Sequence, residues 1–196
     1  EGYLLGLLIG DGRLGHDKAV LSIWAQELKA VGGDGRAVLR AGAAGTMAAV
    51  EAAIATLAPH RADFKGFQRP IADRGETRLA SAPLCRLAHA MDMSPGRKTI
   101  TPRMERCSSA FAAGLLRGLF DADGSVQGTQ DKGVSIRLSQ SDAELLEGAQ
   151  RMLLRLGIVS TLYRNRRPAG LSLLPNGQGG SSEYPTQAQH ELVISG

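Results

Sequence analysis

Asp11 and Asp123 each close one copy of a short apolar segment that occurs twice. Leu4-Leu5-Gly6-Leu7-Leu8-Ile9-Gly10-Asp11-Gly12 returns as Leu116-Arg117-Gly118-Leu119-Phe120-Asp121-Ala122-Asp123-Gly124, an offset of 112 residues (123 − 11). Each copy reads as a helix whose last residue is the aspartate, followed by a glycine suited to a left-handed cap. An acid at a helix C-terminus opposes the negative end of the macrodipole. Two such helices side by side would add repulsion between Asp11 and Asp123. Divalent cations between the carboxylates offset both effects. Carboxylates with backbone carbonyls beside them, here those of Gly10 and Ala122, suit Mg²⁺. Paired ions of this kind stabilise the attacking and leaving oxygens of phosphodiester hydrolysis.

The elements that must position these acids follow from pattern. Both copies are apolar nearly all round, so both helices are expected to be buried. Small residues recur four apart, as Gly2, Gly6 and Gly10 in one copy and Gly114, Gly118 and Ala122 in the other. That spacing puts them on one helix face, where two backbones can approach closely. Glycine inside a helix costs about 1 kcal/mol relative to alanine, and helix-helix packing through Gly6, Gly10, Gly118 and Ala122 is the compensating reason.

After the first copy, strands are expected at Ala19–Trp24 and Arg36–Arg40, then a helix at Thr46–Ala58 with Thr46 as its cap. Strands at Asp63–Gln68 and Glu76–Ser81 and a helix at Pro83–Met91 complete that half. After the second copy come strands at Val126–Thr129 and Val134–Ser139, then a helix from about Asp142 to Leu156, with Ser141 or Asp142 as its cap and Gly157 as its stop. Strands at Thr161–Arg166 and Glu191–Ser195 end the chain, with Arg167–Pro185 read as a long loop rich in Gly, Ser and Pro. Each half thus reads helix, two strands, helix, two strands, an α+β chain. The halves are 1–91 and 110–196, with 92–109 holding the polar, proline-interrupted linker (Asp92–Pro102) and the start of the second half.

Bulk properties narrow the class. The chain has 196 residues, 43% of them hydrophobic, which is ample for a buried core. Net charge is +4 and only Lys18, Lys29, Lys65, Lys98 and Lys132 are lysines among 23 basic residues. Arginine forks pair bidentately with phosphates and base edges, although a GC-rich genome would also spell lysine as arginine. Cys85 and Cys107 form no zinc pattern and fit reduced thiols in a cytoplasmic setting. No apolar run reaches membrane-span length and no signal peptide is visible, so no membrane partner is expected. The start at Glu1, inside the first helix, suits a domain taken from a longer polypeptide.

The paired segments resemble the signature motifs of LAGLIDADG homing endonucleases, especially those embedded in inteins. Ser139-Gln140-Ser141-Asp142 and Leu156-Gly157-Ile158-Val159 extend the resemblance over most of the chain. It implies two pseudo-symmetric αββαββ halves packed through the motif helices, with sheets forming a saddle on double-stranded DNA. It implies a monomer that hydrolyses both strands at a long pseudo-palindromic site using Mg²⁺, with Mn²⁺ as a substitute and Ca²⁺ bound without cleavage.

The candidate readers on strand segments are Arg40, Lys65, Gln68, Arg69, Arg78, Gln127, Arg137, Arg164 and Arg166; any one alone could equally be a solvated charge. Lys98 resembles the family's lysine upstream of the second motif, with a solvated linker lysine as the competing reading. In the second half, the position of the family's other lysine is Gln187, which cannot act as a cation. Gln140, and less closely Gln26, match polar residues that the family places near the scissile phosphates.

Two rival motifs fail on context. Gly10-Asp11-Gly12-Arg13-Leu14-Gly15 satisfies a dinucleotide fingerprint, but a strand-like run follows where a helix is required. Asp121-Ala122-Asp123-Gly124 lacks the glutamate of a calcium-binding EF-hand. A DNA- or RNA-binding regulator or maturase on the same scaffold stays open. The retained pair Asp11 and Asp123 favours a nuclease, and Gln187 favours the alternative.

Overall fold

The first helix needs few residues because nearly all of them are apolar: α1 (Gly2–Ile9) buries every position except Tyr3. The computed structural model describes residues 1–24, 27–28, 38–39, 41–57, 59–68, 75–129, 131, 133–175 and 180–195. Two compact units emerge, Glu1–Ala122 and Asp123–Gly196. The stretch 92–109 therefore falls inside the first unit rather than between the two.

In the first unit α1 is followed by β1 (Gly12–Leu14), β2 (Ala19–Trp24), β3 (Glu27–Leu28), β4 (Val38–Leu39) and α2 (Ala41–Ala55). Then come β5 (Glu76–Ser81), α3 (Ala82–Ala90), α4 (Pro102–Glu105) and α5 (Ser109–Asp123). β1, β2 and β5 form an antiparallel sheet in that order, and β3 pairs with β4. α3 starts where the sequence places it, with Ser81 accepting from the Leu84 amide and Pro83 in the first turn.

Two local expectations give way. α2 begins at Ala41 rather than at Thr46, whose hydroxyl donates instead to the carbonyl of Gly42 one turn back. Alanine-rich sequence continues a helix without a cap, so Thr46 is an interior residue. Asp63–Gln68 is turn and coil, joined to the sheet only by a bridge from Phe67 to Leu79. The strand expected at Arg36–Arg40 is described only at Val38–Leu39, and Gln26, Arg40, Arg69 and Lys132 lie outside the described residues.

The second unit holds β6 (Gly124–Thr129), β7 (Gly133–Gln140), α6 (Ala143–Arg155), β8 (Thr161–Arg167), β9 (Gly170–Pro175), β10 (Ser181–Thr186) and β11 (Gln189–Ser195). Its sheet has the order β6-β7-β11-β8, with α6 on one face. Asp142 caps α6 by accepting from Glu144 and Leu145 amides, worth about 1 kcal/mol. Gly157 stops the chain beyond it at φ 79°. The stretch expected as one long loop is instead an antiparallel hairpin, β9 on β10, flanked by short connections.

Strand register extends the duplication beyond the motif. Gly12 pairs with Leu21, and Leu21 with Leu79. Gly124 pairs with Leu138, and Leu138 with Leu192. The bridge from Phe67 to Leu79 corresponds to the pairing of Leu162 with Leu192. Leu21, Leu79, Leu138 and Leu192 are all buried. The two halves thus share one sheet register, with the core face on the leucine side.

Candidate functional site

Gly6 and Gly118 sit where α1 meets α5. A Cβ at Gly6 would collide with the Leu115 carbonyl and lie 2.7 Å from the Leu119 amide nitrogen. One at Gly118 would collide with the Tyr3 carbonyl and lie 2.9 Å from the Leu7 nitrogen. α1 and α5 therefore meet backbone to backbone, which no side chain at either position would allow. The same packing gathers Tyr3, Arg117 and Asp121: the Tyr3 hydroxyl donates to Asp121 at 3.0 Å and Arg117 lies 4.9 Å over the Tyr3 ring. Burial and then the Asp121 hydrogen bond push the Tyr3 hydroxyl up to about 12.

The aspartates themselves sit differently from each other. Asp123 is the last residue of α5, as its motif implies. Asp11 is not helical: α1 ends at Ile9, Gly10 caps it at φ −69° and ψ −91°, and Asp11 stands in the turn beyond. Neither Gly12 nor Gly124 has a positive φ, so neither is a left-handed cap. Gly12 is required for a different reason, since a Cβ there would sit 2.6 Å from the Cα of Leu8.

Lys98 reaches this end of α1 from the linker. Its half-buried ammonium donates to the carbonyls of Leu8 at 3.0 Å, Ile9 at 3.1 Å, Gly10 at 3.4 Å and Gly12. The ammonium offsets the negative end of α1, where carbonyls of Leu8, Ile9 and Gly10 converge with that of Gly12 in an oxygen-rich place that attracts positive charge. Asp11 lines a cleft of about 570 Å³ beside it, together with Trp24, Thr46, Phe120 and Asp121. At the other motif Gln140 donates its amide to Asp123 Oδ2 at 2.6 Å. The amide orients that carboxylate but brings no charge. Gln187 is exposed in the short connection between β10 and β11.

Carboxylate and carbonyl oxygens are the donor set that hard divalent cations take, and Asp11 with the Gly10 carbonyl in one unit, and Asp123 in the other, each offer donors of that kind. Ala122, in the last turn of α5, offers a carbonyl beside Asp123. Among the described residues no three His, Cys, Asp or Glu side chains cluster as a self-sufficient metal cage.

The candidate readers separate by face. Strand alternation and register put Arg13, Ser22 and Arg78 on the non-core face of the first sheet. Ser125, Gln127, Ser135, Arg137, Ser139 and Tyr163 share the matching face of the second. Arg166 reaches that face through Glu191 at 3.5 Å and stands 5.2 Å over the Tyr163 ring. Arg164 goes elsewhere, to an ion pair with Glu147 of α6. Lys65 and Gln68 are exposed on a second cleft, shared with Lys18, His60 and Arg86.

Sequence reading missed two glutamates on these faces. Glu76 is 5% exposed and grips Arg78 with both oxygens, at 2.7 and 2.8 Å, holding its guanidinium more firmly protonated than usual. Glu191 is 8% exposed and lies 3.3 Å from Arg137. The signal for Glu76 was present in the sequence, because an acid two residues from an arginine in a strand shares its face.

Residues 110–196 match the family described as LAGLIDADG-like domain. Over 104 residues the chain is 33% identical to the ribonucleoside-diphosphate reductase NrdEB subunit alpha of Bacillus subtilis (strain 168), covering 52% of this chain and 10% of that protein. The chain thus corresponds to about a tenth of that relative's length. Among solved structures it is similar to a mesophilic variant of the homing endonuclease I-DmoI, at TM-score 0.53 and 22% identity, over 99% of this chain and 87% of the other. I-DmoI in complex with DNA and Ca matches at TM-score 0.52 and 21% identity, over 99% and 81%. These two likenesses are of fold.

Proposed function

We propose that the chain is a site-specific endonuclease of double-stranded DNA, a reading supported by the match of residues 110–196 to the LAGLIDADG-like domain and by a fold similar to that of I-DmoI. The observation that carries this reading is the pair of motif acids at oxygen-rich helix ends, retained although each opposes a helix dipole. A protein that only bound DNA would gain nothing from them. Divalent ions, Mg²⁺ or Mn²⁺, supply Lewis-acid stabilisation of the attacking and leaving oxygens when bound.

The chain's own residues do the rest. Asp11 and Asp123 are the carboxylate ligands, aided by the carbonyls of Gly10 and Ala122. Lys98 places a positive charge beside the first acid, where it stabilises the negative charge that develops on the phosphate. Gln140 fixes the orientation of the second acid and can neither give nor take a proton. Arg78, Gln127, Arg137 and Arg166 are the readers this geometry favours, on sheet faces of a kind the major groove admits. Arg164 drops out of that set.

The identity with a short stretch of a much longer reductase subunit supports a natural context inside another gene, as an intein would provide. The chain should cut a duplex carrying its insertion-site sequence only with a divalent metal, and Asp11→Asn or Asp123→Asn should slow cutting by about 10²–10³-fold while leaving binding. Sequence-specific binding without metal-dependent cutting would instead identify a regulator or maturase on this fold.

A further inference from the structure

Two carboxylates are buried on the faces assigned above to DNA reading, where they are least expected. Glu76 and Glu191 are each less than a tenth exposed, and each lies on the non-core side of its sheet. A buried carboxylate is costly unless paired, and apolar residues usually serve stability at least as well. A face meant for phosphates should also avoid negative charge. Both glutamates nevertheless hold arginines.

The geometry of each grip is informative. Glu76 takes the Nε and one Nη2 donor of Arg78, through its two oxygens at 2.7 and 2.8 Å. A guanidinium has five N–H donors, so three remain on the outer edge of Arg78, whose side chain is 48% exposed. Two donors in that fixed fork are what the N7 and O6 of guanine accept. In the second sheet one oxygen of Glu191 lies 3.3 Å from Arg137 Nη1 and 3.5 Å from Arg166 Nε. Ser135 accepts from Arg137 Nε at 3.0 Å, and the Tyr163 ring lies beneath Arg166. Each arginine is held by its glutamate, with Arg78 and Arg166 about half exposed and Arg137 about a quarter.

We propose that Glu76 and Glu191 are positioning residues for sequence recognition: they aim Arg78, Arg137 and Arg166 at base edges and cancel much of their attraction for phosphates. The inference rests on the reading that this chain binds duplex DNA. Three arginines with two glutamates present a net charge of one, not three. Affinity for arbitrary DNA falls, and an arginine fixed in direction cannot swing to a phosphate when the base is wrong.

The test uses the full chain, Ca²⁺ in place of Mg²⁺, and a pool of 30-base-pair duplexes of random sequence. Bound duplexes are sequenced, and affinity for the unselected pool is measured from 50 to 200 mM salt. Glu191→Gln should raise affinity for the pool several-fold and steepen the slope of log K against log salt by about 1. It should also erase base preference at two or three adjacent positions of the selected motif. Glu76→Gln should do the same at a different place in the motif.

Arg137→Ala leaves Glu191 and Arg166 in place and should lose part of the preferences that Glu191→Gln loses, which covers the case in which a glutamate variant fails to fold. An unchanged motif in Glu191→Gln with only a lowered melting temperature would make the clamp a plain structural ion pair and overturn the proposal. So would an unchanged motif in Arg137→Ala. Failure of the unsubstituted chain to bind any duplex would bring down the nuclease reading itself, and this inference with it.

Discussion

The two ends of the duplicated motif solve one electrostatic problem in two ways. At Asp123 the helix runs through to the acid, and a neutral amide from Gln140 holds the carboxylate. At Asp11 the helix stops two residues early, and the Lys98 ammonium fills its C-terminus through four carbonyls. The difference teaches that the duplication conserves the acid and the glycines that seat the helix, while leaving each half to find its own counter-charge. A cation lies at one end and a dipole at the other. The two strands of a DNA substrate should therefore not be treated alike.

The strongest way to break this comparison is to remove what the halves share. Gly118→Val drives a side chain into the Tyr3 carbonyl, which is backbone and cannot yield cheaply. The cost should be about 3 kcal/mol or more, seen as loss of cooperative thermal unfolding. Gly114→Ala, whose Cβ meets the Tyr3 nitrogen at 3.2 Å, should cost far less. If both variants melt alike, the close approach of α1 and α5 is not what the glycines serve.

Next in size come the acids. Asp11→Asn and Asp123→Asn should each slow metal-dependent cleavage by about 10²–10³-fold, the equivalent of roughly 3–4 kcal/mol of transition-state stabilisation. The melting temperature should change little, because asparagine keeps the shape of each side chain and an oxygen that can still accept a hydrogen bond. A large drop in stability would mean that the carboxylates are structural.

The counter-charges sharpen the contrast. Lys98→Met strands carbonyls of Leu8, Ile9 and Gly10 and should cost about 2–3 kcal/mol in denaturant unfolding without metal or DNA. Gln140→Ala removes one amide from a carboxylate that water can still reach, and should cost at most about 1 kcal/mol. Equal costs would remove the distinction between the two ends. The smallest expected effect is a gain: Gln187→Lys should speed cleavage of one strand several-fold. No change would show that the exposed connection before β11 is not the place of a second lysine.

Much of this was legible in the sequence because duplication makes its own case. The repeat, the glycine spacing, the Asp142 cap and the Gly157 stop each follow from a local rule, and each stands in the structure. The β9–β10 hairpin did not follow, because glycine, serine and proline signal turns, and cross-strand pairing of Leu173 with Glu183 and Leu174 with Ser182 is a tertiary fact. Thr46 misled for a related reason, since a hydroxyl that can cap a helix can equally bond back within one. The early end of α1 was hidden by Gly12, whose role is close approach to Leu8 and not conformational freedom. Lys98 was suspected by resemblance, but its four carbonyl partners come from residues 86 to 90 positions away, a separation that no local pattern records.

Strand-resolved cleavage kinetics on a duplex labelled at both 5′ ends, with Mg²⁺ and at a temperature where all variants are folded, tests the unequal halves most directly. The account predicts that one strand is nicked first, by about tenfold in rate, and that Lys98→Met erases this bias by slowing that strand alone. Equal rates on both strands in the unsubstituted chain, or an equal slowing of both by Lys98→Met, would contradict it.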